Sequence, residues 1–432
     1  MVGQTVDAPF SILMLSIHGY VAADPELGKP DTGGQVVYVL ELAKRFSRLG
    51  YHVDLVTRQF EDQPEFDQVN ENFRVWRIPF GGDSFIRKED MHDYLGDFVT
   101  NALARIRLRG RRYDVVYSHY WDAGWAGQKI AEELVVPHVH TPHSLGSWKQ
   151  QNMGQQMDLE SMERAYRFEE RIRKEFLVYR NSDHIIATTA PQTELLQAEY
   201  DVLERHVTTV PPGMDEDRFS PVRQKQRMEL QGRYGLQEHD VLTVGRMAAN
   251  KGYDLLLDSL PTLLSLVPDA RLVAAIGGED SEQDIAGVNQ LKQQARDLGI
   301  ADRVNWVQYV PDEDLANYYR AASVFSLSSR YEPFGMVAIE AMACGTPSVI
   351  TVHGGLAELI DFGDQALFAD PNRSVEFGTM LAMPMLYANL NEELSVKGSR
   401  FARRNFGWTG IAKQIRQVFD RAIAAKFEDS LG

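Results

Sequence analysis

The sequence predicts an α/β protein of two successive units, each a parallel sheet covered by helices. Short β-prone runs alternate with amphipathic helical stretches along the chain, which is the signature of parallel sheets with helical crossovers. The alternation pauses once, from Pro211-Pro212-Gly213 through a polar stretch to about Asp240, and then restarts. A chain of 432 residues also fits two domains of about 200 residues each better than one. The predicted units are 1–215 and 216–409.

In the first unit the β-prone runs are Ser11–Ile17, Val53–Thr57, Val75–Ile78, Val115–Ser118 and Ile185–Thr188. Between the first two, Val36–Leu49 sets Val36, Leu40, Ala43 and Phe46 at helical spacing, with Lys44, Arg45 and Arg48 outside and Gly50 closing the helix. The second unit repeats the pattern with Val241–Val244, Arg271–Ile276, Arg303–Val307, Val324–Leu327 and Ser348–Thr351. The last helix, Gly410 to about Phe427, carries Ile411, Ile415, Val418, Phe419 and Ile423 on one face, so it packs against something.

Composition narrows the function. A net charge of −16 argues against a nucleic-acid binder, whose footprint would be basic. An acidic protein binds phosphates only by concentrating a few cations, so individual Lys and Arg residues in motifs matter. The single cysteine, Cys344, excludes an internal disulfide, fits a reducing cytosol and reads as a small core residue. The start of the chain shows no targeting pattern, and the most apolar region, Leu255–Ile276, is interrupted by Asp258, Pro261, Pro268, Asp269 and Arg271. The expectation is a soluble, cytoplasmic protein. Neither unit shows a Gly-x-Gly-x-x-Gly fingerprint or a Walker loop, which disfavours an oxidoreductase or an NTPase.

The most informative segment is Arg330-Tyr331-Glu332-Pro333-Phe334-Gly335 … Glu340-Ala341-Met342-Ala343-Cys344-Gly345-Thr346-Pro347. A buried strand, Val324–Leu327, leads through a loop into a helix that starts at Gly335 and is closed by Gly345. Glu332 stands in the loop and Glu340 in the helix, seven residues between them. Hydroxyl-binding carboxylates on either side of an anion-favouring helix start suit a sugar joined to a phosphate. The segment resembles the Glu-x7-Glu motif of retaining glycosyltransferases of the GT-B fold, family 4. Open α/β sheets bind ligands beyond the carboxyl ends of their strands. Two Rossmann-like domains facing across a cleft, with the C-terminal helix 410–432 crossing back to the first, are what that fold implies.

Further motifs sharpen the resemblance. Asp31-Thr32-Gly33-Gly34-Gln35 opens a helix after the first strand, and Gly-Gly permits close backbone approach to a ligand. With Val36-Val37-Tyr38-Val39 it resembles the acceptor-side loop of sucrose-phosphate and sucrose synthases. His143-Ser144-Leu145-Gly146-Ser147-Trp148-Lys149 is similar to a segment in which the histidine lies beside the transferred sugar and the lysine reaches the acceptor phosphate. Lys88, Tyr120 and Arg171 match acceptor-contacting positions, giving an implied acceptor set of Gly33, Gly34, Gln35, Lys88, Tyr120, Lys149 and Arg171. Glu170 departs from the pattern, because an arginine usually precedes the one matched by Arg171. A glutamate there would oppose a phosphate unless Arg167 or Arg173 compensates or its side chain points away.

On the donor side, Gly245-Arg246-Met247-Ala248-Ala249-Asn250-Lys251-Gly252 follows the first strand of the second unit. The resemblance implies that Arg246 and Lys251 bind the diphosphate of a sugar nucleotide, stabilising charge as the leaving group departs. Glu340 would hold the ribose; Glu332 with the amides of Phe334, Gly335 and Met336 would hold the sugar. Backbone near Val310 would meet the base, and Gly34 would also touch the donor. Catalysis would rest on His143, Arg246, Lys251 and Glu332.

The chain resembles a minimal bacterial-type sucrose-phosphate synthase over nearly its full length. The implied reaction moves glucose from UDP-glucose to fructose 6-phosphate with retention, by front-face attack in which the leaving phosphate takes the proton; Glu332 as nucleophile is the other route. No metal or cofactor is implied as required, and magnesium stimulation is left open. Nucleic acid and membrane are not expected partners, while a separate sucrose-phosphate phosphatase is. The alternatives are a sucrose synthase-like or other family 4 transferase with a different acceptor and, more remotely, a non-catalytic sugar-nucleotide sensor. Donor base preference stays open among UDP, ADP and GDP.

Overall fold

A computed structural model describes residues 9–24, 31–32, 34–153, 159–277, 282–307, 310–332 and 334–429. The chain divides into two compact units, Met1–Pro212 with Ile411–Gly432, and Gly213–Gly410.

The first unit is built on eight strands: β1 (Ser11–Leu15), β2 (His52–Gln59), β3 (Phe66–Asn70), β4 (Phe73–Pro79), β5 (Val115–His119), β6 (His138–Thr141), β7 (His184–Ala187) and β8 (Val207–Thr209). They lie in the order β3-β4-β2-β1-β5-β6-β7-β8. All pairings are parallel except β3 with β4. Strands β1 and β5 are wholly buried, as apolar runs covered on both faces must be. Helix Gly34–Arg48 buries Val36, Leu40, Ala43 and Phe46. Arg45 corrects the expectation that it lies outside: it is buried, in the last turn, where a cation complements the helix dipole. The helix Trp408–Asp429 puts Phe419 on this unit's core, its ring 5.7 Å from Phe46 and 5.2 Å from Tyr117.

The second unit has β9 (Asp240–Gly245), β10 (Arg271–Ile276), β11 (Val304–Val307), β12 (Val324–Leu327), β13 (Ser348–Thr351) and β14 (Leu367–Ala369). Their order is β11-β10-β9-β12-β13-β14, parallel throughout. Strand order reverses direction beside β9 and β12, and loops at such a switch point bind ligands in open sheets. The helix of the Glu-x7-Glu segment runs Met336–Ala343, capped by Gly335 at φ 87°. Cys344, just beyond it, is a core residue whose thiol burial pushes to about 12. Among the described residues no helix is long and apolar enough to cross a membrane.

Candidate functional site

In the first unit the candidate residues follow the carboxyl ends of β1, β4, β5 and β6. Tyr120 directly follows β5, and His143 follows β6 two residues on. Both adopt left-handed backbone, with φ 75° and 59°, as does Asp31 with φ 55°. Each such residue costs on the order of 1–3 kcal/mol, and such strain concentrates at functional sites. His143 Nε2 lies 3.0 Å from His119 Nδ1, and its ring stands edge-on to Tyr38, 4.9 Å between centroids. Burial pushes its pKa down to about 3, so the imidazole is neutral at physiological pH.

Arg171, from helix Phe168–Asn181, is 4% exposed and donates from Nε to Glu175 Oε1 at 2.7 Å. Its other arm reaches Ser144 O at 3.1 Å. Glu175 Oε2 accepts from the Gly146 amide at 2.8 Å and from Tyr200 OH at 2.6 Å. The Arg171–Glu175 pair thus fixes the segment between His143 and Lys149. The Arg171 guanidinium also stands 4.9 Å from the centre of the Tyr120 ring.

Lys149 lies 4.7 Å from the Tyr166 ring centre, and its pKa is lowered by burial and by the fields of Arg171 and Lys88. Lys88 pairs with Asp31 and, at 3.3 Å, with Glu89. Burial works against its charge, but the hydrogen bond to Asp31 and the two carboxylates outweigh it and raise its pKa. Lys88, Tyr120, Lys149 and Arg171 therefore share one electrostatic neighbourhood. Gln35 donates to Ser16 Oγ at 3.2 Å. A Cβ added at Gly34 would meet nothing within 4 Å, whereas Gly33 lies outside the described residues.

Glu170 is compensated. Its carboxylate takes Lys174 Nζ at 3.0 Å and Arg167 at 2.6 Å. The sequence reading named Asp31 in its motif but not as the partner of Lys88, and it missed Lys174 and a buried His18–Asp122 pair of 2.9 Å whose imidazole packs on the Tyr120 ring. The signal available for His18 was its place just past the carboxyl end of the first strand.

In the second unit Arg246 follows β9 directly, exposed and with no carboxylate partner among the described residues. Its carbonyl accepts from Tyr253 OH at 3.2 Å. The loop is clamped to the end of β12. Gly252 has φ 62°, and a Cβ there would sit 2.2 Å from Ser328 O; the Arg330 amide donates to Asn250 O at 2.8 Å. Lys251 Nζ meets Glu332 Oε2 at 2.6 Å, and Ser329 Oγ donates to the same oxygen at 3.1 Å. The Glu332 amide bonds His353 O at 3.0 Å, with Gly354 packed so closely that a Cβ would lie 2.2 Å from Glu332 O.

Phe334 packs edge-on to Phe406, and Gly335 and Met336 begin the helix, whose first amides have no intrahelical partner. Glu340 Oε2 accepts from Tyr319 OH at 3.0 Å, and burial raises its pKa to about 7 against weaker opposition from Tyr319 and Arg218. Val310 and Arg246 line one cavity of about 260 Å³ with Val244 and Asp312. The structure thus brings Lys251 to Glu332 and Arg246 to Val310. No group of three or more His, Cys, Asp or Glu residues suited to a metal occurs among the described residues.

Comparison with known proteins identifies the class. Residues 229–381 match the family model for glycosyl transferases group 1, residues 32–218 that for glycosyltransferase family 4, and residues 3–52 that for the first GT-B domain of sucrose synthase. The chain belongs to the group 1/family 4 glycosyltransferases and has their GT-B fold. A mannosylfructose-phosphate synthase from Agrobacterium fabrum is 50% identical over 407 residues, which is 94% of this chain and 90% of that one. A D-inositol 3-phosphate glycosyltransferase from Thermobifida fusca is 34% identical over 406 residues, 92% and 90% of the two chains. The solved sucrose-phosphate synthase of Thermosynechococcus elongatus is similar with a TM-score of 0.65 at 29% identity, covering 96% of this chain and all of that one.

Proposed function

We propose that the protein transfers a hexosyl group, mannosyl in preference to glucosyl, from a nucleoside diphosphate sugar to the anomeric hydroxyl of fructose 6-phosphate. The observation that carries the acceptor class is the gathering of Lys88, Lys149 and Arg171, the fields of the other two opposing the charge of Lys149 while Asp31 and Glu89 partly offset them. Cations assembled in this way suit a phosphate group. Glu170, held by Arg167 and Lys174, adds no uncompensated negative charge of its own. The mannosylfructose-phosphate synthase, at 50% identity, supports both the fructose phosphate and the choice of mannose.

In this reading Arg246 and Lys251 hold the diphosphate, Glu332 and the first amides of helix Met336–Ala343 the hexose, and Glu340 the ribose. Val310 lies at the base. Lys88, Tyr120, Lys149 and Arg171 hold the acceptor, with Gln35 and the Gly33-Gly34 backbone beside it. The acceptor oxygen forms a bond to the hexose anomeric carbon as the bond from that carbon to the β-phosphate oxygen breaks. The acceptor proton passes to the departing phosphate, so no side chain is needed as base and the product retains configuration. Arg246 and Lys251 stabilise the charge that develops on the leaving group. Neutral His143 hydrogen-bonds the hexose. We place the reaction in the cytosol, with a separate phosphatase acting on its product.

A second reading, glucosyl transfer from UDP-glucose to give sucrose 6-phosphate, is favoured by the likeness to the sucrose-phosphate synthase structure. Nucleoside diphosphate release separates the two when GDP-mannose and UDP-glucose are each offered with fructose 6-phosphate and with fructose. Turnover of GDP-mannose with fructose 6-phosphate supports the proposal. Preference for UDP-glucose supports the second reading, and preference for free fructose overturns the phosphate site. Activity with none would leave a sugar-nucleotide sensor.

A further inference from the structure

Arg58, near the end of β2, is 1% exposed yet has no carboxylate within ion-pair distance among the described residues. Two of its three guanidinium nitrogens are spent on main-chain carbonyls, and the third is buried with no hydrogen-bond partner. Nε donates to Phe80 O at 3.1 Å, and one terminal nitrogen donates to Gly82 O and Ser84 O, both at 2.9 Å. The rings of Phe60 and Phe80 lie 5.0 and 5.3 Å from its central carbon. Burial pulls its pKa down. A buried cation with no carboxylate in contact is unfavourable even with the fields of Asp83 and Glu61 upon it, and a well-packed apolar residue is often the more stable choice. What an apolar residue could not do is hold the carbonyls of a loop whose Gly81 and Gly82 have φ 68° and 83°.

That loop delivers Lys88. Phe85 stacks on Tyr20, and four residues past Ser84 the Lys88 amide donates to Asp31 Oδ2 at 3.2 Å, with its ammonium on the same carboxylate. We infer that Arg58 is a positioning residue for the sugar-phosphate site, acting through the loop 80–87 on Lys88. The inference rests on the reading of Lys88 as a phosphate contact.

The test is steady-state kinetics of Arg58→Lys and Arg58→Met, each alone and combined with Lys88→Ala, using the donor that turns over in the panel above. Arg58→Lys is expected to raise the KM for fructose 6-phosphate about tenfold, within the range of coupling between neighbouring groups, while the donor KM stays within about twofold. In the Lys88→Ala background the same change should have no further effect on the acceptor KM. Arg58→Met should behave alike but more strongly; if it does not fold, Arg58→Lys carries the test. An unchanged acceptor KM, equal rises in both KM values, or an undiminished effect without Lys88 overturns the inference. If Lys88→Ala alone leaves the acceptor KM unchanged, the phosphate site itself is wrong and the inference falls with it.

Discussion

The two candidate sites use the same residue types under opposite constraints. In the first unit Arg171 is sealed in the interior and committed to Glu175, while Tyr120 and His143 are held in left-handed backbone. In the second, the Arg246 side chain is exposed and unpaired among the described residues, on a loop held by main-chain contacts and by the Lys251–Glu332 pair, to neither of which that side chain contributes. Arg171 is itself part of the pairing that preorganises its site, whereas Arg246 stands outside the contacts that hold its loop. An arginine's effect on the fold and its effect on a ligand are therefore separable, and the two sites separate them differently.

The largest contrast should come from removing the two arginines. Arg171→Ala is expected to lose about 3–5 kcal/mol of stability, because it strands a buried Glu175. Arg246→Ala should stay within about 0.5 kcal/mol of the parent in urea unfolding while its kcat falls on the order of 10²–10³-fold. Equal destabilisation of the two would break the comparison.

Glu340 sharpens it next. Its folded pKa, raised from 4.5 to about 7, means the folded state binds the extra proton between those values. Stability should therefore fall as pH rises from about 4.5 to 7 and then level, by about 3 kcal/mol for such a shift. Glu340→Gln should remove that slope and be the more stable protein at pH 8, yet bind donor poorly. In the parent the donor KM should climb as pH drops below 7. Unfolding free energies at pH 5 and 8 check the first point, and a pH profile of donor KM the second.

Lys149→Ala should raise the KM for fructose 6-phosphate about 10–100-fold and move the donor KM little, since one charge-assisted contact contributes about 1.5–3 kcal/mol. Equal rises would place Lys149 outside the acceptor site. The smallest effect on stability is expected at Gly34, where a Cβ meets open space. Gly34→Ala should fold normally and lose ligand affinity. Gly252→Ala should instead cost at least about 1–2 kcal/mol in a melt, from its positive φ alone and before its contact with Ser328 O is counted.

Local chemistry made some of this legible in the sequence. Gly335 and Gly345, with φ 87° and 82°, bracket the helix of the Glu-x7-Glu segment where a glycine start and stop were read. Most buried strands were visible as apolar runs, while Leu367–Ala369, only three residues long, was passed over. Strand β6 was not visible, because His138-Val139-His140-Thr141 looks polar; Ser118 Oγ makes it buriable by bonding His138 at 2.7 Å and His140 at 2.8 Å. Strand β3 is a polar edge held by antiparallel pairing with β4 and by polar contacts such as Asn70 to Ser47 Oγ and Asp67 to the Ala23 amide. Motifs located Lys88 and Glu340 but not their surroundings. Asp31 lies 57 residues from Lys88, and the Glu340 pKa is set by burial, with Tyr319 opposing it, both of which only the packed fold supplies.

The contact between Lys251 and Glu332 has a consequence for selectivity. A carboxylate fixed against an ammonium is a tethered competitor, present at high effective concentration whatever the solution contains. Any phosphate that takes up Lys251 must share it with that competitor or displace it. A doubly charged terminal phosphate is better able to do so than a sugar hydroxyl or a phosphate held out of reach. If Lys251 holds the diphosphate as proposed, the pair should act as a threshold that nucleoside diphosphates cross more readily than nucleoside monophosphates. Glu332→Gln should lower the threshold, narrowing the ratio of inhibition constants between the two kinds of nucleotide; an unchanged ratio would mean that the carboxylate sets no such threshold.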